Sequence, residues 1–211
     1  RSGSYLTKDS ATLGAAYFRV GPEAVKHIQP NNLSRWAALG RSLYKGTWKS
    51  STLSVSFFNL SPSLLKALPF PDLETFTNLI ESLSARSYDL AGECLTIGNA
   101  ILGSMGRERS LFLVLWQTLS ENSWRDIKGV LETYESSVSG IAEPLRNKFL
   151  SLTNLLAMHG AKDTPRFLAQ GGSAIGTLKT VEQEHVLDLC ERLLKYSPIS
   201  VAAFLNNLTP V

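Results

Sequence analysis

The sequence contains little cysteine, histidine and charge. Its 211 residues include 2 cysteines, 3 histidines and 18% charged residues. Cys94 and Cys190 are too few for a disulfide framework, and neither they nor the histidines have the spacing of a metal site. We therefore expect no metal and no cofactor, and a reducing cytoplasm is the expected compartment.

Neither a strong charge excess nor a long apolar run is present. The 21 basic residues exceed the 18 acidic ones by only three, and a nucleic-acid binder usually carries a clustered basic stripe. The longest apolar run, 111–116, is far shorter than the roughly 18 residues of a membrane-spanning helix. Composition therefore disfavours nucleic acid as a partner and predicts no membrane span.

Uncharged polar residues replace the missing charge. Such a surface is easily desolvated, which favours contact with a partner protein, but a serine-rich surface without a partner fits the composition equally well. The start of the chain carries no secretory signal, and the four residues RSGS at 1–4 are typical of an expression scar.

Apolar residues recur every 36 to 37 residues in two sets of columns, which is typical of stacked helical hairpins. One set defines the second helix of each repeat and contains Phe18, Phe58, Leu95, Leu131, Leu168 and Leu205, with a parallel column at Val25, Leu65, Leu102, Val138 and Ile175. The other defines the first helix and contains Trp36, Phe76, Phe112, Phe149 and Val186, with a parallel column at Leu39, Leu79, Leu115, Leu152 and Leu189. The predicted fold is an all-α superhelix, or solenoid, of about five helical hairpins.

The columns also predict how the chain is divided. We expect one helical-repeat domain over 5–211, with a partial repeat at 5–28 and repeats at about 29–68, 69–105, 106–141, 142–178 and 179–211. Neither end shows the polar capping repeat of a solenoid, so we expect a fragment of a longer chain whose ends could self-associate. First-helix columns step by 40 residues between the first two repeats, which predicts three extra residues in the turn at 45–48.

Individual residues add local expectations. The pair Asp9 and Ser10 is predicted to open the first helix, and Asp72 is predicted to cap the first helix of the second repeat. Gly171 aligns with Gly21, Ser61 and Gly98, which predicts close helix–helix approach in that column.

The unit length and paired helices resemble the HEAT-like class of α-solenoids. The segment AYFRV at 16–20, followed by Val25 and Ile28, also resembles the helical-repeat region of bacterial von Willebrand A-domain proteins of the nitric oxide reductase activation and CoxE type. The resemblance implies a role in assembly or activation of a metalloenzyme. The DxSxS-type metal motif of the A domain is missing from this sequence, so no functional residue of that family is carried over.

The remaining candidate sites are surface columns of the second helices. They contain Arg19, Lys26, Asn59, Lys66, Thr96, Glu132 and Glu135, which we predict as partner-binding residues. We expect a protein–protein interaction scaffold within a larger protein, without catalytic residues. The alternative is a nucleic-acid-binding module of the pentatricopeptide or HEAT-like DNA glycosylase type, which needs a continuous basic face. An enzyme would need polar groups converging in a pocket, and no column supplies them.

Overall fold

A computed structural model describes residues 10–160, 164–197, 200–201 and 204 of the chain. All regular structure in these ranges is helical. The helices are α1 (Ala11–Ala24), α2 (Leu33–Ser42), α3 (Trp48–Ala67), α4 (Phe70–Ser84), α5 (Tyr88–Ser104), α6 (Arg109–Asn122), α7 (Ile127–Val138), α8 (Glu143–Gly160), α9 (Thr164–Arg166, continued by a π-helical turn Phe167–Gly171 and by Gly172–Gly176) and α10 (Thr180–Leu194). The predicted all-helical class is confirmed, and Leu205 lies outside the described residues.

The chain forms two compact units, Arg1–Ser104 and Met105–Val211, called unit 1 and unit 2 below. In unit 1, α1, α3 and α5 pack side by side in one layer, and α2 and α4 pack in the other. The helix pairs α2–α3 and α4–α5 connect the layers as hairpins. Helices two apart in sequence are therefore neighbours within a layer.

An aromatic cluster forms the core between the layers of unit 1. Trp36 stacks on Tyr17 at 5.1 Å between ring centroids, and the ring of Phe58 meets both edge to face. The indole Nε1 of the fully buried Trp36 donates a hydrogen bond to Ser61 Oγ at 2.9 Å. The cluster thus joins α1, α2 and α3, and it leaves the polar indole group satisfied.

The first turn of α3 holds the three extra residues. From Trp36 to Phe58 the chain has 22 residues, against 19 from Phe76 to Leu95, and α3 begins ten residues before Phe58 whereas α5 begins seven before Leu95. Thr47 caps α3, because its Oγ1 accepts from Ser50 N and Ser50 Oγ accepts from Thr47 N. The turn before α3, 43–47, has five residues against three at 85–87, so the prediction of a longer turn is confirmed. Trp48 belongs to α3 and not to the turn, because the Thr47 cap starts the helix there.

Unit 2 follows the same packing pattern. Helices α6, α8 and α10 lie side by side in one layer, and α7 packs against α9 in the other. The contact between α7 and α9 is so close that a Cβ added at Gly172 would lie 2.3 Å from the carbonyl oxygen of Ser137. Gly140 and Gly176 meet similarly, with 2.8 Å between an added Cβ and the opposite Cα. Only glycine fits at these crossing points.

Several predicted core and cap positions need correction. Phe18 and Val25 are 58% and 47% exposed, and it is Tyr17, next to Phe18, that packs on Trp36 and Phe58. In α10, Leu189 is exposed, and the buried residues are Leu187 and Cys190, each one residue past a predicted column position. Asp72 is not a cap but lies in the first turn of α4, whereas Ser10 does cap α1 by accepting from Leu13 N.

Candidate functional site

Five of the seven predicted partner-binding residues lie in one layer of unit 1. They are Arg19 on α1, Lys26 just after α1, Asn59 and Lys66 on α3, and Thr96 on α5, and all are exposed. Glu132 and Glu135 are exposed on α7 in unit 2, where Lys128 Nζ lies 3.8 Å from Glu132. The structure therefore brings together the five residues of unit 1.

These five residues belong to a broader surface, which we call the outer face of unit 1. Its α3 and α5 rows step by three and four residues, so each row keeps to one side of its helix. The rows are Thr52, Ser56, Asn59, Ser63 and Lys66 on α3 and Gly92, Thr96, Asn99 and Gly103 on α5. The side chains of these two rows are small and, except for Lys66, uncharged, which is the surface that the composition predicts; Arg19 and Lys26 add positive charge beside them.

Polar contacts connect neighbouring helices across the outer face. Arg19 donates a hydrogen bond to Asn59 Oδ1 between α1 and α3. Ser63 Oγ donates to Asn99 Oδ1 at 2.6 Å between α3 and α5. The partners are 40 and 36 residues apart in sequence. Such contacts join equivalent rows of neighbouring helices on this face.

A groove of about 160 Å³ lies at one end of the outer face, between the first turns of α3 and α5; we call it the Trp48 groove. It is lined by Trp48, Lys49, Thr52, Leu53, Ser56, Tyr88, Asp89 and Gly92. The indole of Trp48 is 75% exposed, although tryptophan usually has most of its surface buried.

The two charged side chains of the Trp48 groove are paired with each other. Lys49 Nζ lies 2.9 Å and 3.1 Å from the two carboxylate oxygens of Asp89 and 5.6 Å from the centroid of the Trp48 ring. The side chain of Lys49 is 40% exposed and that of Asp89 is 77% exposed. An ion pair so open to water stabilises the fold very little, so it can exchange.

Sequence reasoning missed the Trp48 groove. The column spacing predicts a turn at Trp48, and Asp89 lies 40 residues after Lys49, outside the columns of 37. The signal in the sequence is the pair Thr47 and Ser50, which caps a helix that begins at Trp48. Recognising this cap would have placed the tryptophan on the first turn of a helix.

A second groove, of about 460 Å³, lies in unit 1 where α1 and α3 end. Its walls are mainly apolar, and its lining residues are His27, Ile28, Gln29, Asn32, Leu65, Leu68, Pro69, Phe70 and Pro71. Lys26, which follows the last turn of α1, is bound to Glu23 at 2.5 Å, and this contact lowers the pKa of the Glu23 carboxyl. The exposed cation of Lys26 is thus partly neutralised by a neighbouring acid.

Two further titratable side chains of the described residues, Cys190 and Tyr134, are buried in the fold. Cys190 is buried, and desolvation raises the pKa of its thiol to about 12, so it is protonated at neutral pH. Burial, and then the carboxylate of Glu108, raises the pKa of the Tyr134 hydroxyl. Among the described residues, no three or more His, Cys, Asp and Glu side chains are grouped so that they could hold a metal ion.

Within the described ranges, none of the helices is both long and apolar enough to cross a bilayer. The fold is that of an all-helical protein whose helices pack in two layers within each unit. Comparison of the chain with protein-family models, with the curated proteins and with the solved structures gives no match.

Proposed function

We propose that the chain is a HEAT-like helical-repeat module that binds an extended segment of a partner protein along the outer face of unit 1. The observation that carries this proposal is the continuity of that face with the Trp48 groove. The rows of small uncharged side chains can be desolvated at low cost, and the groove offers an aromatic anchor at their end.

The sequence separation of side-chain contacts supports the repeat. Contacts between helices two apart join residues 36 to 40 positions apart in both units, which is close to the spacing of the columns. Examples are Arg35–Glu74, Lys49–Asp89, Thr118–Asn154 and Lys148–Asp188. Equivalent positions of successive hairpins are expected to be neighbours in a solenoid.

Electrostatics favours a protein segment over nucleic acid. Lys26 is paired with Glu23, and Lys49 with Asp89, so two of the cations in this layer have carboxylate partners. A phosphate backbone would have to compete with these carboxylates at each contact. The outer face lacks the continuous basic stripe that such binding needs, at least in its described residues.

The proposed face can be tested before any natural partner is identified. A displayed library of random peptides is selected on the immobilised 211-residue chain, and the affinity of enriched peptides is measured by fluorescence anisotropy. Thr96→Arg places a long charged side chain in the middle of the outer face and should weaken binding at least tenfold.

A matched control uses the other layer. Thr75 on α4 is also an exposed threonine that donates to the carbonyl oxygen four residues before it, as Thr96 does. Thr75→Arg should therefore leave the affinity unchanged. Equal affinity of both variants, or no enriched peptide, refutes the proposed face. If labelled single-stranded RNA or DNA binds instead, with a steep salt dependence, the chain is a nucleic-acid module.

A further inference from the structure

We propose that the Trp48 groove is a binding site for an alkylammonium group, supplied by a lysine side chain of the bound segment. The assignment of this group to a partner lysine rests on the proposed function above. The chemistry of the groove itself rests on its own side chains and can be measured with a small ammonium compound.

The aromatic lining is the first argument. Trp48 and Tyr88 both line a groove into which water can reach. The face of an indole attracts a cation within about 6 Å of its centroid, and tryptophan does so most strongly among the aromatic side chains. A 75% exposed indole beside a carboxylate therefore offers two groups that both attract a cation.

The ammonium of Lys49 is the second argument, because it already occupies such a position. It contacts both oxygens of Asp89, at 2.9 Å and 3.1 Å, and lies 5.6 Å from the Trp48 ring centroid. In the structure it therefore stands where the ammonium of a ligand would bind. Because the Lys49–Asp89 pair is exposed, a ligand can displace Lys49 at small cost.

The partial positive charges at the starts of the helices oppose the binding of a cation in the Trp48 groove, but they do not prevent it. The first turns of α3 and α5 meet at the groove, and the partial positive charge at the start of a helix favours anions. Asp89 carries a full negative charge in the first turn of α5, which outweighs the partial charge of a helix end. Lys49 then acts as a built-in competitor, so its removal should strengthen ammonium binding.

The test follows the ¹⁵N-indole resonances of the full chain during titration with Nα-acetyl-lysine methylamide and with its Nε-trimethyl form. The indole resonance of Trp48 is assigned from the variant Trp48→Phe. Trp36 and Trp116 are almost fully buried, so their indole resonances serve as internal references. A saturable shift confined to Trp48 is expected with either compound. A lower dissociation constant for the trimethyl form would assign the groove to methylated lysine, and the reverse to unmodified lysine.

Three variants test the roles of Lys49 and Asp89 in ammonium binding. Lys49→Met should lower the dissociation constant about three- to tenfold, because it removes the competing ammonium. Asp89→Asn should raise the dissociation constant at least fivefold. Lys45→Met is the matched control, since Lys45 pairs with Glu81 away from the groove, and it should change nothing. Unchanged affinity in both Lys49→Met and Asp89→Asn overturns the proposal, as does a Trp48 shift caused by propionate but not by the ammonium compounds.

The two proposals fail in distinguishable ways. If the ammonium compounds bind at Trp48 but selected peptides tolerate Thr96→Arg, the groove is a cation site and the outer face is not a peptide-binding surface. If selected peptides need Thr96 but the ammonium compounds do not bind, the proposed function stands and the lysine assignment is wrong.

Discussion

Gln183 provides the sharpest test of how unit 2 is held together. Its side chain is buried in the first turns of α10 and bridges two separate turns of the chain. Its Oε1 accepts from the backbone N–H of Ala142 at 2.9 Å, and its Nε2 donates to the carbonyl oxygens of Gly140 and Leu178, both at 3.0 Å. One side chain therefore satisfies one donor and two acceptors of the backbone.

Replacing Gln183 by leucine keeps the approximate volume but removes all three hydrogen bonds. A buried polar group without a partner costs about 1–3 kcal/mol, and the turns give these three groups partial access to water. The added apolar surface of leucine returns about 1 kcal/mol. We therefore expect Gln183→Leu to lower the free energy of unfolding by about 2–4 kcal/mol.

Urea denaturation followed by far-ultraviolet circular dichroism measures this loss. Gln117→Leu is the matched control, because Gln117 is exposed on α6 and makes only a long contact with Glu121, at 3.4 Å. The control should change the free energy by no more than about 0.5 kcal/mol. If the two variants unfold at the same urea concentration, Gln183 does not bridge the two turns.

Three further predictions concern packing and the thiols. Gly172→Ala should lower the free energy of unfolding by about 1–3 kcal/mol, because its Cβ would meet the carbonyl of Ser137. Gly129→Ala, with open space around the added Cβ, should raise the free energy of unfolding by up to about 1 kcal/mol. Urea denaturation compares the two variants. Ser61→Ala should cost about 1–3 kcal/mol by leaving a buried indole N–H unpaired, and a thermal melt at or above the wild-type temperature would contradict this. Because the pKa of the Cys190 thiol is raised to about 12, the native thiol should resist a disulfide reagent at about pH 8 and react only on unfolding. Rapid labelling of Cys190 in the native chain would disprove its burial.

The sequence predicts the helices because burial follows helical spacing closely. Phe76, Leu79 and Leu83 are all buried on α4, as their columns require, and Phe112, Leu115 and Leu119 behave alike on α6. The same columns failed for Phe18, Val25 and Leu189. A column shows only that equivalent residues lie on the same side of their helices. Burial also needs another helix packed against that side, and sequence spacing does not predict which helices have one.

The prediction of close helix approach is wrong at Gly21, and it overlooked Gly172. Gly21 has open space around it, whereas Gly172, one residue past the predicted column, lies against Ser137. A π-helical turn lies at Phe167–Gly171, directly before Gly172, whereas Ile175 beyond it is still buried as its column predicts. A local change of helix type leaves no mark in a 37-residue spacing.

The outer face of unit 1 was predictable in composition, whereas the chemistry of the Trp48 groove was not. Thr96 and Asn59 follow from the non-core columns, because the repeat assigns them to one side of neighbouring helices. The Trp48 groove arises where the repeat is broken, since the three extra residues add a helical turn to α3 and carry Trp48 and Lys49 to the edge of the outer face. A regular repeat produces a uniform surface, and recognition of one partner over another needs a position that differs from its equivalents. The irregular first turn of α3 is therefore the place where specificity is expected, and Trp48→Ala should weaken binding of selected peptides more than Thr52→Ala does.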